Sequence, residues 1–371
     1  MSDYVVSARK YRPQTFDTVV GQKSITTTLR SAIATDHLAQ AFLFCGTRGV
    51  GKTTTARILA KTINCTDRGE NVEACDKCDS CVSFNDNASL NIYELDAASN
   101  NSVDDIRELI NQVRVPPQLG THKVYIIDEV HMLSAQAFNA FLKTLEEPPK
   151  HAIFILATTE KHKIIPTILS RCQIFDFNRI KVSDMANHLA NIAAKENITA
   201  DPEALHLISQ KADGALRDAL SIFDQIVTFA GNNITHKQAL ENLNILDYDY
   251  YFRIVDVALK EDIPAALLLL NDVVEKGFDP HHFATGLANH YRDLLVCKDP
   301  RTSKLLEVAE NVEQKYLEQS KEIDPNYLLR AIAVLSKVDI EYKTAKNSRL
   351  LVEVGLMQLC SLKSELEKKN S

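Results

Sequence analysis

Three groups of residues have types and spacings suited to chemistry. The octet Gly46-Thr47-Arg48-Gly49-Val50-Gly51-Lys52-Thr53 fits G-x-x-x-x-G-K-[ST], the phosphate-binding P-loop. Its glycines let the backbone curl so that several N–H groups face one point, and a following helix N-terminus adds its positive end. In that pattern Lys52 reaches the β- and γ-phosphates of a nucleoside triphosphate and the Thr53 hydroxyl holds Mg²⁺, with Thr54 beside it among the nucleotide-binding residues. A second group is Asp128-Glu129, which ends the apolar run Val124-Tyr125-Ile126-Ile127. Such a pair can simply close a strand in solvent. Beside a complete P-loop it reads as a Walker B site, with Asp128 supporting Mg²⁺ and Glu129 orienting and polarising the attacking water. The third group, Cys65, Cys75, Cys78 and Cys81, forms C-x9-C-x2-C-x2-C. Thiolates two residues apart can share one tetrahedral metal, so a closed structural Zn²⁺ site is expected. An iron–sulfur cluster is the rival; the missing Cys-Pro and the single quartet favour zinc.

Weaker signals accompany these. Arg171, in Ser170-Arg171-Cys172, can reach a neighbouring subunit's γ-phosphate if it lies at a subunit edge, although the pattern alone suits a surface salt bridge better. Arg217 follows Asp213-Gly214, with Asp213 as the expected N-cap. A cation in a first helical turn opposes the helix dipole, which is easier to understand with an anion nearby; a surface arginine fits equally. Thr158-Thr159 ends an apolar run, where a hydroxyl can meet the attacking water or merely end a strand.

Alternating elements must position these groups. Strand-like runs at 41–45, 91–95, 124–127, 152–157 and 173–177 alternate with helix-like runs at 53–64, 103–115 and 135–145. This predicts an α/β fold with a parallel sheet covered on both faces. After about residue 178 the strand signals vanish. Helices are expected over 185–195, 202–212 and 215–229, the second opened by Asp201-Pro202. From near Asp247 a third, wholly helical block follows, with long amphipathic runs at 264–275 and 327–337. Lys363–Ser371 is charged and is expected to fray.

The chain has 371 residues, 45% of them hydrophobic and 25% charged, as in an ordinary globular protein. No apolar run approaches the length of a membrane span, and Met1-Ser2-Asp3-Tyr4 carries no signal-peptide core, so a cytoplasmic setting without a membrane partner is expected. The net charge of -7 excludes a surface that is basic all over but leaves room for a local basic lining against nucleic acid. Cys45, Cys172, Cys297 and Cys360 are scattered and are expected to pack as small apolar residues.

Taken in order, the motifs resemble the γ/τ subunits of the bacterial DNA polymerase III clamp loader, an AAA+ ATPase family. The resemblance covers roughly the first 230 residues. It rests on Ala8-Arg9-Lys10-Tyr11-Arg12-Pro13 with Phe16 and Val20-Gly21-Gln22, the P-loop, the inserted cysteines and Asp128-Glu129-Val130-His131-Met132-Leu133. Leu142–Pro149, Leu156-Ala157-Thr158-Thr159, Ser170-Arg171-Cys172 and Gly214–Leu220 complete it. The third block matches only in being helical and in its position. The resemblance implies ATP, Mg²⁺ and structural Zn²⁺ as ligands, and Tyr11, Arg12 and Val20 on the adenine side. It implies Arg171 as an arginine finger acting in trans, Arg217 as the sensor-2 arginine, and Thr159, with Thr158 second, at the sensor-1 position. Implied partners are δ-like and δ′-like subunits, the sliding clamp, primed and single-stranded DNA, and further copies held through a collar. The implied domains are an ATPase core over 1–178 with a zinc module near 65–81, a helical lid over 179–245 and a helical collar over 246–371. The family's long τ form carries further domains absent here, which points to a short form or a trimmed chain.

Two other classes stay open on the sequence. A branch-migration helicase would normally add a DNA-binding winged helix after the lid, and no such pattern is evident. A non-enzymatic ring scaffold of δ′ type is opposed by the intact Lys52, Thr53, Asp128 and Glu129.

Overall fold

The computed structural model describes residues 5–69, 71–117, 120–243, 245–302, 305–306, 308 and 310–370. Met1–Tyr4, read above for a signal peptide, lie outside the described residues. The chain divides into two compact units, one of Met1–Thr199 with Ile208–Asn232, the other of Ala200–Leu207 with Asn233–Ser371.

In the first unit, β1 (Ala41–Cys45), β2 (Ile92–Asp96), β3 (Lys123–Asp128), β4 (Ala152–Thr158) and β5 (Gln173–Asp176) form one parallel sheet in the order β2-β3-β4-β1-β5. β1 and β4 are buried along their whole length, as continuous apolar runs in a doubly covered sheet must be. Side chains still alternate between the faces with period two. Phe42, Phe44, Val124, Ile126, Ile153 and Ile155 join one core; Leu43, Tyr125, Ile127, Phe154 and Leu156 join the other. Helices α1 (Lys23–Ala34) and α2 (Lys52–Asn64) bury Leu29, Ile33, Leu59 and Ile63 against the first. A third helix, α3 (Asp79–Asn85), carries the last cysteine of the quartet. Helices α4 (Val103–Val113) and α5 (Ala135–Glu146) bury Ile106, Leu109, Phe138 and Phe141 against the second core. Each fully buried side chain of this kind contributes about 1.5–3 kcal/mol. A capping box starts α4: Ser102 Oγ accepts from the Asp105 amide at 3.2 Å and Asp105 Oδ2 accepts from the Ser102 amide at 3.1 Å.

The register places the chemistry. Cys45 pairs with Thr158 on one side and Asp176 on the other, and Asp128 pairs with Asp96. The P-loop, Asp128-Glu129 and Thr158-Thr159 therefore leave the sheet along one carboxyl-terminal edge, where ligands bind in parallel sheets.

Beyond the sheet the chain is mostly helical, with α6 (Val182–Lys195), α7 (Pro202–Lys211), α8 (Leu216–Ala230) and α9 (His236–Leu243). Strands do not vanish altogether after residue 178, because the two-residue pieces Thr199–Ala200 and Asn233–Ile234 form a second small sheet, too short to leave a period in the sequence. The second unit holds α10 (Tyr248–Leu259), α11 (Ile263–Glu275), α12 (Pro280–Val296), α13 (Glu310–Lys321), α14 (Pro325–Tyr342) and α15 (Ser348–Asn370). Its core is continuous, from Leu270 and Phe283 through Tyr291 and Leu328 to Leu356. Asp279 and Asp324 cap α12 and α14, each with proline at the first helical position. Helix α15 runs on to Asn370, through most of the charged end.

Candidate active site

The P-loop turns sharply between β1 and α2. Gly46 has φ +151°, and a Cβ there would come within 2.7 Å of the Phe177 carbonyl oxygen, so only glycine fits this approach. Lys52 opens α2 at 6% exposure, and its ammonium donates to the carbonyls of Gly46 at 2.8 Å and Thr47 at 2.9 Å. Burial pulls its pKa below the ordinary lysine value, against the opposing pull of Glu129 and Asp128.

Thr53 Oγ1 donates to Asp128 Oδ2 at 2.5 Å. A hydroxyl and a carboxylate oxygen so placed fit a shared Mg²⁺, a hard cation that takes oxygen ligands and keeps several waters. Glu129 lies next to it in the left-handed region, φ +47° and ψ +43°, which costs a non-glycine residue about 1–3 kcal/mol. Thr159 donates to Glu129 Oε2 from its hydroxyl at 3.0 Å and its amide at 3.3 Å. Thr158 is fully buried and turned elsewhere: its Oγ1 lies 3.0 Å from His131 Nδ1 and accepts from the Glu160 amide at 3.0 Å. His131 is a site neighbour whose place in the motif does not by itself give it a role. Its ring stands between Glu129, 3.5 Å from Nδ1, and Glu160, 3.4 Å from Nε2. Its place in the one-turn helix directly after Glu129 was the available signal.

Lys52, Thr53, Asp128 and Glu129 line a cavity of about 580 Å³ in the first unit. Arg48 to Gly51 and Thr54 line it beside them. Tyr11, Arg12, Val19, Val20 and Ile180 also line it, and Arg217 does so from α8. Arg12 donates from Nε to Thr54 Oγ1 at 3.2 Å, and burial lowers its pKa. Glu94, paired with Arg57, also lines the cavity and carried no signal in the sequence.

The expected N-cap at Asp213 does not form. Asp213 is itself in the left-handed region and pairs with Arg179, while Ala215 occupies the cap position without a side-chain bond. The first turn of α8, which carries Arg217, thus has no side-chain cap. Among the described residues Arg217 makes no ion pair. Arg171 lies outside the cavity of its own chain. It follows a one-turn helix, Pro166–Leu169, and contacts Glu146 Oε1 at 2.8 Å and the Thr167 carbonyl at 2.8 Å.

The four cysteines form a separate site. Their sulfurs lie within 4.8 Å of one another, and the Cys65 and Cys78 sulfurs are 4.0 Å apart. A Zn–S bond of about 2.3 Å requires tetrahedral sulfur edges of about 3.8 Å, so the quartet fits zinc. The amides of Lys77 and Cys78 point at the Cys75 sulfur at 3.4 and 3.3 Å, which suits a thiolate ligand. Cys45, Cys297 and Cys360 are buried and Cys172 is half-buried. Burial pushes the Cys45 thiol up to about 11.

Comparison with known proteins follows this geometry. Residues 21–181 match the family model of the DNA polymerase III delta subunit, and residues 184–232 that of the DNA polymerase III clamp loader subunit ATPase lid domain. Residues 234–371 match domain III of DNA polymerase III subunits gamma and tau. The chain is 40% identical to DNA polymerase III subunit tau of Bacillus subtilis over 96% of its own length and 63% of that protein. It is 36% identical to DNA polymerase III subunit gamma of Buchnera aphidicola over 98% of both chains. To gamma/tau of Mycobacterium tuberculosis it is 38% identical, spanning 62% of that protein. The sheet order, the P-loop with its Walker B pair, and the helices that follow define an AAA+ P-loop ATPase. Within that class the chain belongs to the gamma/tau family of DNA polymerase III clamp-loader subunits.

No described helix is long and apolar enough to cross a membrane.

Proposed function

We propose that this chain is an ATP-hydrolysing motor subunit that opens a sliding clamp and loads it on primed DNA. The observation that carries this is the convergence of Lys52, the Thr53–Asp128 pair and the Thr159–Glu129 pair at one cavity edge, with Arg217 entering from α8. ATP enters between the P-loop and the segment holding Tyr11, Arg12 and Val20. Lys52 exchanges its two carbonyl partners for phosphate oxygens, and the P-loop amides of residues 46 to 54 close around the β-phosphate. Thr53 and Asp128 would hold Mg²⁺, which when bound neutralises charge on the β- and γ-phosphate oxygens. Glu129 accepts a hydrogen bond from the attacking water, and Thr159 fixes the carboxylate that does so. Arg217 contacts the γ-phosphate and makes the helices after the core sense the nucleotide. Arg171 supplies the finger to the site of an adjoining subunit; its partly exposed pair with Glu146 costs little to break.

The remaining assignments belong to the same reading. Residues 1–178 act as the core, 179–245 as the lid and 246–371 as the collar. δ-like and δ′-like subunits and further copies complete a ring in the cytoplasm, and zinc staples the loop near 65–81. The chain has no polymerase chemistry of its own.

The test is ATP hydrolysis by this chain mixed with δ-like and δ′-like subunits, with and without clamp and primed DNA. Strong stimulation by clamp plus DNA, lost in Arg171→Ala with ATP binding intact, supports the proposal. Turnover unmoved by clamp or DNA removes it.

A further inference from the structure

The loop between Cys65 and Cys75 carries one carboxylate that leaves the zinc site altogether. Glu73 Oε2 accepts the amide of Phe16 at 3.1 Å, and its Oε1 accepts the amide of Asp17 at 3.1 Å. Arg30 of α1 pairs with the same carboxylate and with Asp17 Oδ1 at 2.6 Å, and its guanidinium stands 5.8 Å from the Phe16 ring centre. Phe16 is buried in the core beneath the P-loop helix. Residues 16–18 form a single turn in the middle of a segment without strand pairing, and both arms of that segment line the nucleotide cavity: Tyr11, Arg12 and Pro13 before the turn, Val19 and Val20 after it.

Glu73 is held on the metal side. Its carbonyl accepts from the Gly69 amide at 3.3 Å, Val72 packs on the core, and Cys75 lies two residues on. At the other end Cys65 terminates α2, the P-loop helix, and the buried Lys61 in its last turn pairs with Asp76 at 2.6 Å. Apart from Val72 the loop gains little order from burial, and the cysteines at its two ends, Cys65 and Cys75, constrain where Glu73 stands.

We propose that Glu73 is a positioning residue for the nucleotide site: it transmits the order imposed by the zinc quartet to the turn at Phe16–Thr18, and so presets the adenine-side wall. The metal module then supports nucleotide affinity as well as local folding. This rests on the cavity being the nucleotide site. The consequence is directional. Losing the metal frees Glu73, releases the Phe16 and Asp17 amides, and weakens nucleotide binding without touching Lys52, Thr53 or Asp128.

The experiment uses the full chain and Glu73→Gln, each with and without a zinc-selective chelator. It reads bound zinc, the Kd for ADP, and hydrogen exchange at the Phe16 and Asp17 amides. With zinc intact, Glu73→Gln is expected to speed exchange at both amides and to weaken ADP about three- to tenfold, the loss of a charge-assisted anchor acting at one remove. Chelation is expected to produce both changes in the wild type and to add little in Glu73→Gln. An unchanged ADP Kd in zinc-loaded Glu73→Gln overturns the inference. So does chelation that weakens ADP equally in both chains. If Glu73→Gln does not fold, Glu73→Asp, which keeps the charge one methylene short, takes its place in the same comparison. A zinc-loaded wild type that binds no ADP is a different result: it removes the nucleotide site, and the inference with it.

Discussion

Glu129 and Thr159 divide one task between two neighbouring strand ends. The strained backbone of Glu129 turns its carboxylate toward the Thr159 hydroxyl and amide, so the orientation of the carboxylate proposed as the base depends on a residue that does not itself line the cavity. Two substitutions separate chemistry from positioning. Glu129→Gln keeps the shape and removes the base, and should lower ATP turnover about 10²- to 10⁴-fold with nucleotide affinity nearly unchanged. Thr159→Val removes the hydroxyl but leaves the amide bond, and should lower kcat by about tenfold while the ADP Kd stays within about twofold. Single-turnover hydrolysis and equilibrium nucleotide binding check both. A Thr159→Val chain that loses affinity as much as kcat would show that the threonine serves binding. At this scale the P-loop, Asp128-Glu129 and the cysteine spacing were legible because each lies in one short stretch of sequence. The division between Thr158 and Thr159 was less so: Thr158, paired opposite Cys45, points to His131, and only the strand's pleat decides which hydroxyl meets Glu129.

Elements were legible in proportion to their periodicity. The five strands and helices α4 and α5 announce themselves as apolar runs of the correct length between breakers. Helices α12 and α13 of the second unit did not, because their buried faces include a polar residue, His290 in one and Ser320 in the other. Helix α12 is the clearest case. His290 is 1% exposed, with Nδ1 2.7 Å from the Tyr316 hydroxyl and Nε2 3.4 Å from Gln319 Oε1. The Gln319 amide nitrogen is committed to the Phe252 carbonyl at 3.0 Å and Asp256 Oδ1 at 2.7 Å, so its oxygen faces His290. His290 therefore carries its proton on Nε2 and accepts the Tyr316 hydroxyl at Nδ1. Burial holds its pKa down at about 3. In the unfolded chain an ordinary histidine binds a proton near pH 6.5. The neutral ring thus contributes its full stability above about pH 6.5, and that contribution falls as the pH drops toward 3, by at most about 1.4 kcal/mol per unit. Urea unfolding followed between pH 7 and pH 4 should show this slope in the helical second unit, and His290→Gln should flatten it. An identical slope in that variant would assign the acid sensitivity to other groups.

At the scale of the whole molecule, the proposed function divides one catalytic site between two chains, and the fold keeps its two groups of residues apart. The P-loop groups and Arg217 share a cavity, whereas Arg171 is bonded to Glu146 and Thr167 away from it. A residue that acts on a neighbour's nucleotide requires a head-to-tail contact, in which each chain gives its P-loop to one interface and its finger to the next. Such a contact makes complementation possible between chains that are inactive alone. Lys52→Ala has no working P-loop but retains Arg171; Arg171→Ala has a working P-loop but offers no finger. Each should lose ATP turnover in the presence of δ-like and δ′-like subunits, clamp and primed DNA, with the finger's removal costing about 10³- to 10⁵-fold. In an equal mixture, a site regains both halves when an Arg171→Ala P-loop meets a Lys52→Ala neighbour, which random head-to-tail assembly allows at about one quarter of the junctions. Turnover should therefore recover to roughly that fraction of the wild-type rate on mixing. No recovery, with assembly intact in both variants and nucleotide binding intact in Arg171→Ala, would mean that Arg171 acts within its own chain or through its bond to Glu146 alone.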